Sequence, residues 1–127
     1  LGTLLLTRAE PASVGLSPIG GYLRPSRHLD DFGVLVQCGA PAPCRVRVPI
    51  SPGLWQDVAV QHHETVSFGA ELFLSGEGIL AYDGDRTHDL ANLTDCRMRV
   101  ERDGPWIIEP DRVLQFAVEQ GILIRAP

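Results

Sequence analysis

The sequence predicts a mainly β, β-sandwich-like domain of many short, mostly antiparallel strands, followed by one C-terminal α-helix. Glycine and proline, at 13 and 10 of the 127 residues, interrupt the chain at intervals of about eight to twelve residues, a spacing typical of all-β folds. Between these interruptions apolar and polar residues alternate, as in strands with one buried face. Only the last segment has helical spacing. We therefore predict a single β-rich domain over residues 1–127.

Nine segments have the composition of short strands. Residues 31–38 are apolar on both faces. Residues 44–50 alternate arginine with valine and so have one solvent-exposed and one buried face. Residues 10–21 are rich in Gly, Ser and Pro and predict a loop with room for one short helical turn. Residues 106–108 are expected to extend a sheet edge. The nine predicted strands span residues 3–7, 31–38, 44–50, 55–61, 65–68, 71–75, 78–82, 86–90 and 96–101.

The C-terminal helix is predicted over residues 110–121. Pro110 suits the first helical position, Asp111 in the first turn favours the helix dipole, and Gly121 suits the position just past the last turn. The apolar tail at 122–124 follows this stop and is expected to be exposed. The apolar residues that recur at helical spacing are Val113, Leu114, Ala117 and Val118.

The composition excludes several classes of function. The net charge of −5 argues against broad attraction to nucleic acid or to an anionic membrane. All eleven basic residues are arginine, which excludes a P-loop lysine, Schiff-base chemistry and a Ser-Lys dyad. The apolar run at residues 4–6 is too short for a signal or membrane segment.

The residues that commonly bind metals are poorly placed for it. Three cysteines, Cys38, Cys44 and Cys96, include no C-x-x-C pair. This spacing predicts neither a disulfide framework nor a structural zinc site, and it indicates a reducing cytoplasm. His62 and His63 are adjacent, so on a strand their side chains point to opposite faces and cannot chelate one metal ion.

The sequence matches two catalytic or binding motifs only in part. Residues 76–81 fit the dinucleotide fingerprint G-x-G-x-x-A, yet the Asp83-Gly84 pair follows at once and leaves no room for the helix that the fingerprint needs. A nucleophile elbow around Ser17 would need glycine where Ile19 stands. The sequence therefore assigns no catalytic residue and gives little support to a serine hydrolase.

The Asp83-Gly84 pair predicts a β-hairpin. An apolar run at 78–82 enters it and a polar run at 86–90 leaves it. Asp-Gly tolerates positive φ at both central positions of a type I′ turn, which indicates a β-hairpin here.

The hairpin carries a family resemblance. Residues 76–90 resemble the "LDGxR" hairpin in the C-terminal domain of the ATP-dependent NAD kinase family, and above all the shorter ATP-NAD kinase-like proteins named for acetoin catabolism. Residues 4–21 resemble the strand and Ser/Gly-rich loop that opens the β-rich half of that family. Residues 47–53 resemble its "PIxPG" segment, and Gly104-Pro105 with the closing helix resembles its C-terminus.

This resemblance implies a bacterial kinase or transferase of NAD or a related acceptor, with ATP and Mg²⁺ used by the intact parent protein and no covalently bound cofactor. The family motifs "GGDGT" and "NDNK" are absent from the chain. The resemblance therefore implies the non-catalytic C-terminal half of a two-domain protein, with an N-terminal α/β domain and further copies as partners. The nucleotide-binding residues that it implies are Ser13, Gly15, Ser17, Gly20, Gly21, Asp83 and Gly84.

Backbone N–H groups of the loop at residues 13–21 are expected to approach the dinucleotide, because glycines leave them accessible. Asp83 either shapes this surface or caps its own turn. Valine at Gly20 and Gly21 is expected to weaken nucleotide binding and to leave folding intact.

The same sequence also fits a different class of function. The chain fits a stand-alone, non-catalytic β module that binds a ligand or forms a homo-oligomer. Its interface would then consist of exposed strand edges and the apolar tail at 122–124.

Overall fold

A computed structural model describes residues 2–27, 29–74, 77–82, 84–92 and 96–125. Within these ranges the chain is mainly β, its paired strands are antiparallel and one helix lies near the C-terminus, which confirms the predicted fold class. The strands are β1 (Thr3–Leu6), β2 (Phe32–Cys38), β3 (Cys44–Ser51), β4 (Leu54–Ser67), β5 (Leu72–Leu74), β6 (Ile79–Tyr82), β7 (Arg86–Asp89) and β8 (Cys96–Met98). The helices are α1 (Ser17–Gly21), a 3-10 turn (Leu90–Asn92) and α2 (Pro110–Glu119).

The main sheet has four strands in the order β1-β2-β4-β3. Its longest strand, β4, pairs with β2 through its C-terminal half and with β3 through its N-terminal half. The two halves meet at Val60, which is paired with Cys38 on one side and with Cys44 on the other. The prediction of two separate strands at 55–61 and 65–68 was therefore wrong, because β2 pairs with β4 across the residues between them.

The core lies on one face of this sheet, where valines recur at every second position of β2, β3 and β4. Helix α1 packs against β2 and β3 and covers this face. Leu6 and Phe32 extend the core at its edge. The buried members of the cluster are Leu4, Ala9, Ile19, Val34, Val36, Cys38, Val48, Val58 and Val60.

Strand β2 is apolar on both faces because its second face is covered too. Leu35 is buried, and the backbone at Gly33 approaches Val100 so closely that an added Cβ would lie 2.9 Å from the Val100 side chain. Val100 itself is buried. The segment after β8 thus packs on the sheet without pairing with a strand there. The strand predicted at 96–101 is shorter than expected and ends at Met98.

Two two-stranded ribbons complete the β structure, β5 with β8 and β6 with β7. The β6–β7 ribbon is the predicted hairpin, but its connection is longer than a type I′ turn. Tyr82 pairs with Arg86, so three residues lie between the strands rather than two. Residues 106–108 form no strand, which corrects the predicted edge extension.

Helix α2 begins and ends where the sequence predicts. Pro110 is its first residue, and Gly121, with φ +65°, follows the C-cap. The N–H of Gly121 donates to the carbonyl of Val118, and the N–H of Ile122 donates to the carbonyl of Ala117. These two bonds form a Schellman motif. None of the helix residues is buried, and none of the described helices is long and apolar enough to cross a membrane.

The position of Val36 in the core predicts how much its truncation to alanine lowers the free energy of unfolding. Val36→Ala removes two methyl groups from a fully buried site and should lower the free energy of unfolding by about 2 kcal/mol, from lost burial and a residual cavity. Val14→Ala, at a residue that is 54% exposed, is the matched control and should cost less than about 0.5 kcal/mol. Urea unfolding of both variants measures the difference, and equal costs would contradict this core.

Candidate functional site

The loop before α1 is held by the two serines that the resemblance assigned to nucleotide binding. The hydroxyl of Ser17 accepts a hydrogen bond from the Glu10 N–H at 2.9 Å and donates one to the Arg8 carbonyl at 2.9 Å. The hydroxyl of Ser13 donates to the Glu10 carbonyl at 2.9 Å. Both side chains therefore fix the shape of the loop.

The same loop is attached to the main sheet at one point, and the chain before it is joined to the chain after it at another. Gly15 has φ +105°, a conformation that favours glycine, and its N–H donates to the carbonyl of Pro49 on β3 at 2.9 Å. Ser26 is buried, and its hydroxyl accepts from the N–H of Ala9 at 2.8 Å while its own N–H donates to the Ala9 carbonyl. The sequence analysis did not find Ser26, because a lone serine carries no signal without its partner.

Gly20 and Gly21 lie inside α1 and are buried. A Cβ at Gly20 would lie 2.5 Å from the side chain of Leu6, and one at Gly21 would lie 2.5 Å from the backbone nitrogen of Pro11. These glycines let the helix approach the preceding chain closely. The expectation that valine at these positions leaves folding intact was wrong, because the Pro11 backbone cannot move aside as a flexible side chain can.

The hairpin end of the predicted site carries a cluster of ring and guanidinium groups. Gly84 is exposed at its tip with φ +79°, and Asp83 lies outside the described residues. The rings of Tyr82 and His88 are stacked with centroids 5.6 Å apart, and the Tyr82 hydroxyl lies 2.9 Å from His88 Nε2. The Arg86 guanidinium lies 5.7 Å from the Tyr82 ring centroid. We call Tyr82, Arg86 and His88 the hairpin cluster.

Strand register brings the hairpin cluster together. Tyr82 is directly opposite Arg86, and His88 lies two residues further along the same strand, so all three side chains project from one face of the ribbon. All three are exposed. The sequence analysis missed them because their proximity depends on the pairing of β6 with β7, which residue types alone do not show.

The two parts of the predicted nucleotide site have different main packing partners. Helix α1 packs against β2 and β3, whereas the packing of β6 and β7 is with each other. The loop residues Ser13, Gly15, Ser17, Gly20 and Gly21 are therefore one feature, and Gly84 with the hairpin cluster is another.

The described histidines and cysteines form no metal centre, since no group of three or more possible ligands lies together there. His62 and His63 are both exposed on β4, and His62 Nε2 lies 3.9 Å from the Glu64 carboxylate. Cys38 is buried, and this burial raises the pKa of its thiol. Cys44 is exposed.

Comparison with known proteins gives the family. The model of the acetoin catabolism protein X C-terminal domain matches residues 1–103. The chain belongs to this family. The acetoin catabolism protein X C-terminal domain thus includes the loop, the main sheet and the hairpin described above, and the family match ends before α2.

One curated relative is the acetoin catabolism protein X of Cupriavidus necator, which is 30% identical over 89 residues. The match covers 68% of this chain and 25% of the relative, so the chain spans about a quarter of that protein. No solved structure matches. The resemblance to the acetoin-associated group is confirmed, whereas the link of this acetoin catabolism protein X domain to NAD kinases stays a prediction.

The tight packing at α1 predicts that alanine substitution at two different glycines changes the free energy of unfolding by unequal amounts. Gly21→Ala should lower the free energy of unfolding by about 2 kcal/mol, because the new methyl group meets the Pro11 backbone. Gly104→Ala has open space around the added methyl group and should change stability by less than about 0.5 kcal/mol. Thermal and urea unfolding compare the two, and a neutral Gly21→Ala would refute the close approach of α1 to Pro11.

Thiol reactivity gives a second prediction. Because the thiolate is the reactive form, Cys44 should be alkylated by iodoacetamide at pH 8 well before Cys38, whose burial limits access and raises its pKa. Mass spectrometry of digested samples over time measures both rates. Alkylation of Cys38 as fast as Cys44 in the folded chain would contradict its buried position.

Proposed function

We propose that this chain is the nucleotide-facing and assembly domain of an ATP-NAD kinase-like protein. The intact protein would transfer a phosphoryl group from ATP, with Mg²⁺, to NAD or a related acceptor. Since the curated relative is named for acetoin catabolism, we place the parent protein in the same metabolism. The hairpin cluster is the observation that carries the nucleotide-facing role.

The chemistry of the hairpin cluster suits a dinucleotide. Exposed aromatic rings offer a stacking surface for a base, and stacking on such surfaces contributes about 1–3 kcal/mol per base. The planar Arg86 guanidinium can pair with phosphate oxygens in a bidentate way. Both groups stand beside Gly84, which the family resemblance had already placed in the nucleotide site.

The loop at 13–21 would have a different part in the same function. The hydroxyls of Ser13 and Ser17 are engaged with the protein backbone, and Gly20 and Gly21 are used in packing. The loop therefore supports the proposal as a fixed surface against which an acceptor would lie, rather than as a set of free donors.

The chain alone would not be catalytic. Phosphoryl transfer depends on groups that position ATP, its metal ion and the acceptor hydroxyl and that stabilise the transferred charge. The sequence has no lysine and no "GGDGT" motif. We propose that an N-terminal α/β domain of the parent protein supplies these groups and that the described domain presents the acceptor.

Nucleotide binding is tested by thermal shift of the full 127-residue chain with NAD, NADP or ATP. NAD in large excess over its Kd should raise Tm by several degrees, because a ligand that binds only the folded state stabilises it. The double variant Tyr82→Ala with Arg86→Ala should abolish the shift.

The matched control removes the same chemistry from the other ribbon. Arg97 lies over the ring of Phe73 at 5.9 Å, and this ring is 69% exposed. Phe73→Ala with Arg97→Ala should keep the NAD shift. No shift with any nucleotide in the unmodified chain, or an equal loss in both double variants, would refute the nucleotide-facing role of the hairpin cluster.

A second candidate function is a stand-alone homo-oligomerisation or ligand-binding module. It is favoured by the apolar exposure of the C-terminal segment, residues 106–124, where Trp106 is fully exposed and Ile107 and Ile108 are 79% and 78% exposed. Contiguous exposed apolar surface of this kind marks interaction sites. This function requires self-association without any nucleotide, which sedimentation of the chain would detect.

A further inference from the structure

The hairpin cluster sets a guanidinium and an imidazole side by side along β7. Arg86 and His88 are two residues apart on this strand, so their side chains leave the same face of the ribbon at positions about 7 Å apart. Both side chains are exposed. A ligand that lies along β7 on this face can therefore contact both groups at once.

Tyr82, on the neighbouring strand, holds the imidazole of His88 in place. The Tyr82 hydroxyl lies 2.9 Å from His88 Nε2, and the two rings are stacked with centroids 5.6 Å apart. This hydrogen bond uses Nε2 and leaves Nδ1 for a further partner. In a protonated imidazole both nitrogens donate. Nε2 can then donate to the Tyr82 oxygen while Nδ1 donates to an oxygen of a ligand.

The flanking acidic residues of the ribbon do not share the face of His88. Leu80, directly opposite His88 on β6, is apolar. Asp89 follows His88 and so projects from the opposite face, where its carboxylate accepts a backbone hydrogen bond at 3.0 Å. Asp85 lies before Arg86, in the connection between the strands. On the two paired strands this face thus carries one permanent positive charge, and a second when His88 is protonated.

A diphosphate matches both the spacing and the charge of these groups. The diphosphate of NAD consists of two adjacent phosphate groups with one negative charge each. A guanidinium binds phosphate oxygens in a bidentate way, and an imidazolium supplies the second positive charge. Because the whole chain has a net charge of −5, a phosphate group opposite a neutral His88 would face an unfavourable protein field. Protonation of His88 removes this mismatch.

We propose that the diphosphate of the dinucleotide lies along β7 between Arg86 and His88 and binds together with a proton on His88. Arg86 contacts one phosphate group, and Nδ1 of His88 donates to the other. The inference rests on the nucleotide-facing role proposed above and specifies which part of the ligand the ribbon holds.

Binding with a proton gives the affinity for NAD a pH dependence of fixed sign. Histidine gains its positive charge as the pH falls from 8 to 5. A bound anion favours the protonated imidazole, so by linkage the proton favours the bound anion. NAD affinity should therefore fall about fivefold between pH 6 and pH 8. The phosphate groups of NAD are diesters and lack the ionisation near pH 6 of a phosphate monoester, so this change reports the protein.

Isothermal titration calorimetry of the full 127-residue chain with NAD measures the proton directly. At pH 6.5, titrations in two buffers with different heats of ionisation should show uptake of about 0.3 proton per NAD bound. His88→Gln keeps a hydrogen-bonding partner for Tyr82 and carries no charge, so it should abolish both the uptake and the pH dependence. His63→Gln, at an exposed histidine of β4, is the matched control and should keep both.

The outcomes separate the position of the diphosphate from the nucleotide-facing role. Failure of NAD to bind the unmodified chain at either end of this pH range would overturn both. NAD binding without proton uptake, or uptake that His88→Gln retains or that His63→Gln removes, would overturn the pairing with His88 and leave the nucleotide-facing role standing. Far-UV circular dichroism checks that each variant is folded, and both substituted side chains are exposed.

Discussion

The pairing of β4 with two different strands is the constraint on which the rest of the structure depends. Its C-terminal half pairs with β2 and its N-terminal half with β3, and Val60 joins the two ladders. This arrangement places the alternating valines of three strands on one face, where α1 covers them. Because burial of apolar side chains is the dominant favourable term in folding, this face fixes where α1 packs, and the position of the loop before α1 follows from it.

The loop and the hairpin differ in how they are held. The Gly15 N–H attaches the loop to β3, and serine hydroxyls and close glycine packing hold it against the preceding chain at residues 8–11. The hairpin is a two-stranded ribbon that presents exposed rings and a guanidinium. Under the proposed function, the loop is a fixed surface and the hairpin a ribbon with stacking groups. The family match over residues 1–103 covers both features.

Local patterns in the sequence predicted what depends on local chemistry. The caps of α2, the strand character of 44–50 and the hairpin at Gly84 needed only residue types and spacing. Features that depend on a distant partner were not predictable. The continuity of β4 comes from pairing with β2, the role of Ser26 comes from Ala9, and the hairpin cluster comes from the pairing of Tyr82 with Arg86.

Amide hydrogen exchange of the full chain, followed peptide by peptide with and without NAD, tests the nucleotide-facing role most directly. Exchange reports local opening in each element separately. The account predicts that NAD slows exchange in β6 and β7, with smaller changes in the loop at 13–21, while β3 is unaffected. Unchanged exchange throughout the hairpin at saturating NAD, or protection confined to elements remote from it, would contradict the account.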